Sequence, residues 1–330
     1  MKKITKGILL LFLSTILLAG CGQQSAQEDR VLHVGYSGSL CEAPVHMAQE
    51  KGFFEQEGLK VELVKLAPGT QFEAVTAGQI DASFGLLASL IQPLSNGLPI
   101  KITSGLHTGC DKLLVPQDSS IHTAADFKGK RIGVPSMNSS PIIFTKRFLA
   151  DQGLNVTEKN PDVEFVVFSA GELPLALQNG SVDAVAMNDP AASVAIRDNG
   201  LTAVADSAVT APYNEQYCCT AYVSEKLADD APELAAKYTR ALQKASKWVA
   251  EHPEESAQIQ VEKKWVPGDP AFNAKILKTY NYIPSYQGAY DAFAITAKQM
   301  QHVGMLDSGI DVTGLQKASF FVFKDKDGII

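Results

Sequence analysis

The sequence predicts an α/β protein of two units, each a parallel sheet with helices on both faces. Three observations carry this. Short apolar runs alternate with helical patterns over most of the chain. The rhythm restarts after Asp111. Two segments, "AGQIDASFGLLAS" (77–89) and "NGSVDAVAMNDPAAS" (179–193), share a Gly, a spacer, an apolar residue, Asp and Ala. That is one copy for each unit.

The elements follow in order. "VLHVGY" (31–36) reads as a buried strand, and "APVHMAQEKGFF" as a helix with Pro44 in its first turn, where a missing N–H costs little. "KVELVKL" is a strand, "TQFEAVTAGQ" a helix, "DASFG" a strand, "LLASLIQPL" a helix and "PIKITSGL" a strand. After Asp111 come strands at "KLLV" and "RIGV", a helix from about Ser139, and strands at "VEFVVF", "VDAVAM" and "LTAVA", with helices between the last three. In each copied segment a glycine, Gly78 or Gly180, closes a helix where a left-handed residue is favoured, and Asp81 or Asp183 opens a strand. Beyond residue 224 the pattern is helical to about Val303. In "ADFKGKRIGV", Asp126, Phe127 and Gly129 shape a turn into the strand at Arg131.

The N-terminus sets the compartment. Lys2, Lys3 and Lys6 precede the apolar run Gly7 to Leu18, which is short for a membrane span and ends in Leu18-Ala19-Gly20-Cys21. This is the pattern of a secretory signal peptide at 1–20; the plainer alternative is an uncleaved anchor. "GQQSAQEDR" then forms a polar tether, 21–30 with Cys21. About 310 residues remain, enough for two domains. The formal charge of −7 becomes more negative once the leader's lysines are lost, which argues against a nucleic-acid partner. No G-x-S-x-G, P-loop or H-E-x-x-H occurs.

The small residues before Cys21 resemble a bacterial lipobox, which implies cleavage there and lipidation of the Cys21 thiol. "GYSGSLCEAPVHMAQEKGFFEQEGLKVELV" resembles the opening of ABC-transporter substrate-binding proteins of the nitrate/sulfonate/taurine and thiamine-pyrimidine-precursor group. "AGQIDASFG", "ADFKGKRIGVPSMNSS", "NGSVDAVAMNDPAAS" and "KWVAEHPEESAQ" resemble further segments of the same group, so the likeness covers residues 31 to 310. It implies a two-lobe, periplasmic-binding-protein-like fold of type II with the ligand in the cleft. Lobe one is expected at 31–111 plus 207–330 and lobe two at 112–206. It also implies a lipid-anchored receptor on the extracytoplasmic face, not an enzyme, with a permease and an ATPase as partners. No cofactor or metal is implied.

Open α/β sheets bind ligands beyond the carboxyl ends of their strands. That rule and the family nominate the same loops. "YSGSL" offers Ser37, Gly38 and Ser39, followed by Cys41; Leu86 follows "DASFG"; "HTGCD" offers His107 and Cys110. "VPSMNSSP" offers Met137, Asn138, Ser139 and Ser140 at a helix start, where free N–H groups receive an anionic or polar head, or serve ordinary capping. "MNDP" offers Asn188 and Asp189, the latter as partner to a cation or as helix cap. Lys112 and Arg147 are the nearby cations.

"QYCCT" places Cys218 beside Cys219. On a strand the two face opposite ways, so one of them, taken as Cys218, faces the cleft. Four cysteines remain after Cys21, and they pair in three possible ways, Cys41 with Cys110 being one option. A second reading makes Cys41, Cys110 and Cys218 a site for a thiophilic or soft-metal ligand, aided by Met137 or Met187. A third is a pyrimidine-precursor synthase, because "YCCT" falls where such enzymes carry a cysteine-rich segment. Here Tyr217 and Cys218 stand where further residues of that pattern would be. The plain reading of each cysteine alone is a small buried apolar residue.

Overall fold

The computed structural model describes residues 30–324 and 328–330; the leader and Cys21 lie outside the described residues. The strands are β1 (Val31–Tyr36), β2 (Lys60–Lys65), β3 (Ala82–Leu86), β4 (Ile100–Thr108), β5 (Asp111–Pro116), β6 (Arg131–Val134), β7 (Glu164–Val167), β8 (Ala184–Asn188), β9 (Leu201–Asp206) and β10 (Tyr217–Ser224). They form two five-stranded sheets with equivalent orders, β2-β1-β3-β10-β4 and β7-β6-β8-β5-β9. Each sheet is the floor of one lobe.

The sheets are mixed, which corrects the expectation of parallel ones. β10 runs antiparallel to β3 and β4, and β5 antiparallel to β8 and β9. The reason is topological. β4 and β9 run toward the cleft and then cross to the other sheet. The strand after each crossover therefore starts at the cleft and runs away from it. Alternating elements cannot disclose this, because a change of sheet leaves no mark on periodicity.

The copied segments do the same job twice. Gly78 and Gly180 have φ of +71° and +69°. The Asp81 carboxylate accepts from the His33 N–H of β1 at 3.0 Å, and that of Asp183 from the Arg131 N–H of β6 at 2.8 Å. Each aspartate thus ties the strand that it opens to a parallel neighbour, β3 to β1 and β8 to β6.

The helix Pro232–Glu251 buries Leu234, Tyr238, Leu242, Ala245 and Val249, one stripe at helical spacing, against the first sheet. Tyr238 donates from its hydroxyl to the Ser83 carbonyl at 3.0 Å, and Ser246 to that of Leu106 at 2.7 Å. Among the described residues no helix is long and apolar enough to cross a membrane.

The two crossovers lie side by side. Ser207 Oγ of one accepts from the N–H groups of Cys110 (3.0 Å) and Asp111 (2.9 Å) of the other. Gly109, at φ +73°, faces Ala208 so closely that a Cβ there would stand 2.7 Å from its Cα. A disulfide joins Cys110 to Cys218. It closes the option of a Cys41–Cys110 bridge: Cys41 and Cys219 are free thiols.

Candidate functional site

A pocket with a free volume of about 30 Å³ lies where the lobes and crossovers meet. That is room for about one water. Ser140, Phe144 and Arg147 of the second lobe line it, with Asp111, Tyr213 and Gln216 at the crossovers and Ala88 and Thr296 from the first.

Arg147 is the charge in this pocket. It sits on the helix Ser140–Asp151 and is 6% exposed. Its Nε donates to Gln299 Oε1 at 2.7 Å and a terminal nitrogen donates to Gln216 Oε1. Its guanidinium lies 5.1 Å from the centre of the Tyr213 ring. Among the described residues no carboxylate forms an ion pair with it. The Asp151 carboxylate nearby accepts instead from the Tyr213 hydroxyl at 2.5 Å. Burial holds Arg147 below its usual range. A buried cation whose hydrogen bonds go to amide carbonyls, with the Asp151 and Asp111 carboxyls near but not paired with it, is a place where an anion can be stabilised.

Asp111 stands opposite. Burial pushes its carboxyl up to about 7 against the hydrogen bond from Ser140 Oγ (2.5 Å), and the Asp189 charge adds to the rise. Its Oδ1 has no hydrogen-bond partner. At neutral pH the group therefore stands between charged acceptor and neutral donor, and either form can meet a polar ligand atom through Oδ1.

The nominated loops fare differently. Ser37, Gly38 and Ser39 do lie at the end of β1, but their donors converge on Glu42. Its carboxylate accepts from the Ser37 N–H and hydroxyl (2.9 and 3.0 Å) and from the N–H groups of Gly38 and Ser39 (both 2.7 Å). Burial pushes Glu42 up to about 7 despite these bonds. The loop is thus an anion nest that the chain fills itself. Gly38 meets the Trp265 carbonyl, which would stand 2.8 Å from an added Cβ. The spacing Ser39-x-x-Glu42 was the available signal for Glu42.

Ser140 reaches the pocket but gives its proton to Asp111. Ser139 precedes it as the helix cap residue, with its hydroxyl on the Ser136 carbonyl at 2.8 Å. Met137 and Asn138 are exposed and line an outer groove with Met305 and Asp307. Met187 is buried in the second lobe's own core.

Asp189 does both things considered for it. It ion-pairs with Lys112 at 3.1 Å, and its Oδ1 accepts from Ser193 at the next helix start. Lys112 also meets Asp206 at 2.8 Å, so this cation is neutralised within the second lobe. Asn188 ends β8 opposite Asp111. Leu86 ends β3 opposite Cys219 and packs partly buried in the first lobe.

Cys218 lines the pocket in a disulfide with Cys110. The trio Cys41, Cys110 and Cys218 is therefore not a set of three thiols. His107 does not reach the pocket; it is fully buried, with Tyr280 and Tyr282 against its ring. Sequence reasoning noted Arg147 only as a nearby cation. It missed Tyr213, Gln216 and Thr296, which the fold brings in from distant parts of the chain with no local motif to announce them.

Two α/β lobes on paired mixed sheets, two stapled crossovers and a polar pocket between them define a two-lobe binding protein of periplasmic-binding-protein fold. The periplasmic aliphatic sulphonate binding protein of Escherichia coli superposes with a TM-score of 0.73 at 19% identity, over 88% of this chain and 92% of that one. The chain belongs to the NMT1/THI5-like family, whose model matches residues 42–256. It is 29% identical, over 77% of each chain, to a protein of Bacillus subtilis (strain 168) assigned as an aliphatic sulfonates-binding protein. It is also 27% identical to the 4-amino-5-hydroxymethyl-2-methylpyrimidine phosphate synthase of Aspergillus parasiticus, over 72% of this chain and 70% of that one.

Proposed function

We propose that this chain is the extracytoplasmic solute receptor of an ABC importer, and that its lobes close on a small oxyanion of the sulfonate or nitrate type. Lobe one comprises 31–111 with 207–330, and lobe two 112–206. Lipid on Cys21 holds the receptor at the membrane, where the closed form docks on a permease driven by its ATPase.

The observation that carries the ligand class is Arg147, buried between the lobes with amide carbonyls as its hydrogen-bond partners. An oxyanion supplies the counter-charge, and Gln216 and Thr296 orient it. The lobes part to admit it and close by rotation at the paired crossovers. The geometry favours binding over a synthase reaction. Cys218 is tied into a disulfide, and His107 lies beneath the pocket under two tyrosines.

A thermal-shift screen tests this with alkanesulfonates, taurine, nitrate, sulfate and pyrimidines. An oxyanion present at a hundredfold its Kd stabilises the protein by about 2.7 kcal/mol, a shift of several degrees. A response to pyrimidines with none to any oxyanion would overturn the ligand class.

A further inference from the structure

Three donor atoms meet beneath the pocket. The sulfurs of Cys41 and Cys219 and a ring nitrogen of His107 lie within 4.8 Å of one another, all on buried residues. They come from the turn after β1, from β10 and from β4, and Cys219 and His107 sit opposite each other in the β10–β4 ladder. The anion pocket uses none of them. Cys218 lines that pocket, and alternation along β10 turns Cys219 into the first-lobe core.

The His107 ring supplies a second, independent observation. It is 0% exposed. Its Nδ1 lies 3.1 Å from the Thr108 carbonyl, which only accepts, so Nδ1 is the donor of that bond. Its Nε2 has no hydrogen-bond partner. Tyr280 and Tyr282, with ring centres 4.9 and 4.8 Å away, hold the imidazole in place. A buried imidazole fixed through Nδ1 with a free Nε2 is the form in which histidine ligates metals.

We propose that Cys41, His107 and Cys219 bind one soft monovalent metal ion, copper(I), under the ligand pocket. Two sulfurs and an imidazole select a soft ion over calcium or magnesium. Donor count and burial together select copper(I) over zinc. Structural zinc sites take four protein ligands, and zinc held by two cysteines and one histidine keeps a fourth position open to water. Here the next sulfur, Cys110 Sγ at 3.8 Å from Cys219, belongs to the disulfide, and all three donors are on buried residues.

Copper(I) entering between the sulfurs takes the place of their thiol protons, which leave to solvent. No redox step is involved, and the inference does not depend on which solute the pocket takes.

The test is an anaerobic titration of the purified protein with copper(I) delivered from its bicinchoninate complex. Two alkylatable thiols besides Cys21 after unfolding establish that the Cys110–Cys218 disulfide is intact. The expected result is one copper(I) per chain, with X-ray absorption giving a first shell of two sulfurs and one nitrogen. Cys219→Ser and His107→Gln are each expected to weaken binding roughly 10–100-fold or more, by analogy with losses at other metal sites. If either variant fails to fold, the shell measured on the unaltered protein decides alone. No transfer of copper to protein with both thiols free, a shell of four sulfurs, or stoichiometric zinc(II) uptake without copper(I) uptake would each overturn the assignment.

Discussion

Asp111 shows how much one side chain's surroundings decide. Burial and the neighbouring Asp189 push its carboxyl up from an ordinary 3.8 to about 7. Between pH 4 and 7 the folded protein therefore holds a proton here that the unfolded chain has released. Its contribution to stability falls as pH rises through that window, by at most about 1.4 kcal/mol per pH unit. In urea unfolding the parent should lose stability relative to Asp111→Asn between pH 5 and pH 7.5; a pH dependence unchanged in that variant would contradict the assigned cause. The sequence offered Asp111 only as a lobe boundary, because its burial arises from contacts that form between two lobes. Ser37 and Ser39 teach the reverse lesson. Their donors were legible as a ligand-binding loop, but the occupant, Glu42, was three residues away in the same motif.

At the scale of elements, the strands were largely legible. β1 and β6 fall where their apolar runs end, and the Gly-Asp repeat marks equivalent positions in the two sheets. The direction of β5 and β10 was not legible, since it follows from the change of sheet. Nor was the partner of Cys110, which depends on the crossovers lying side by side. The disulfide spans a sequence separation of 108 residues. Removing a bridge of this kind typically costs about 2–4 kcal/mol through the unfolded chain's entropy. Cys218→Ser should lower the urea midpoint accordingly, read against the same variant's circular dichroism to establish that the fold persists. A variant as stable as the parent would mean that the bridge adds nothing to the packing of Gly109 on Ala208.

For the whole molecule, the account depends on two lobes that meet over a buried cation. Lys112 is neutralised by Asp189 and Asp206 inside the second lobe, whereas Arg147 faces the cleft with Gln216 and Gln299 as its partners. That contrast separates a structural ion pair from a binding group, and residue type alone could not make it. Isothermal titration calorimetry of alkanesulfonates and nitrate against the parent protein and Arg147→Gln is the most direct test. Losing a charged hydrogen-bond partner from a buried site costs about 3–5 kcal/mol. The account therefore predicts saturable one-to-one binding of at least one of these anions, weakened at least a hundredfold in a variant that still folds. Equal affinity in the two proteins, or no anion bound by either at millimolar concentration, would contradict it.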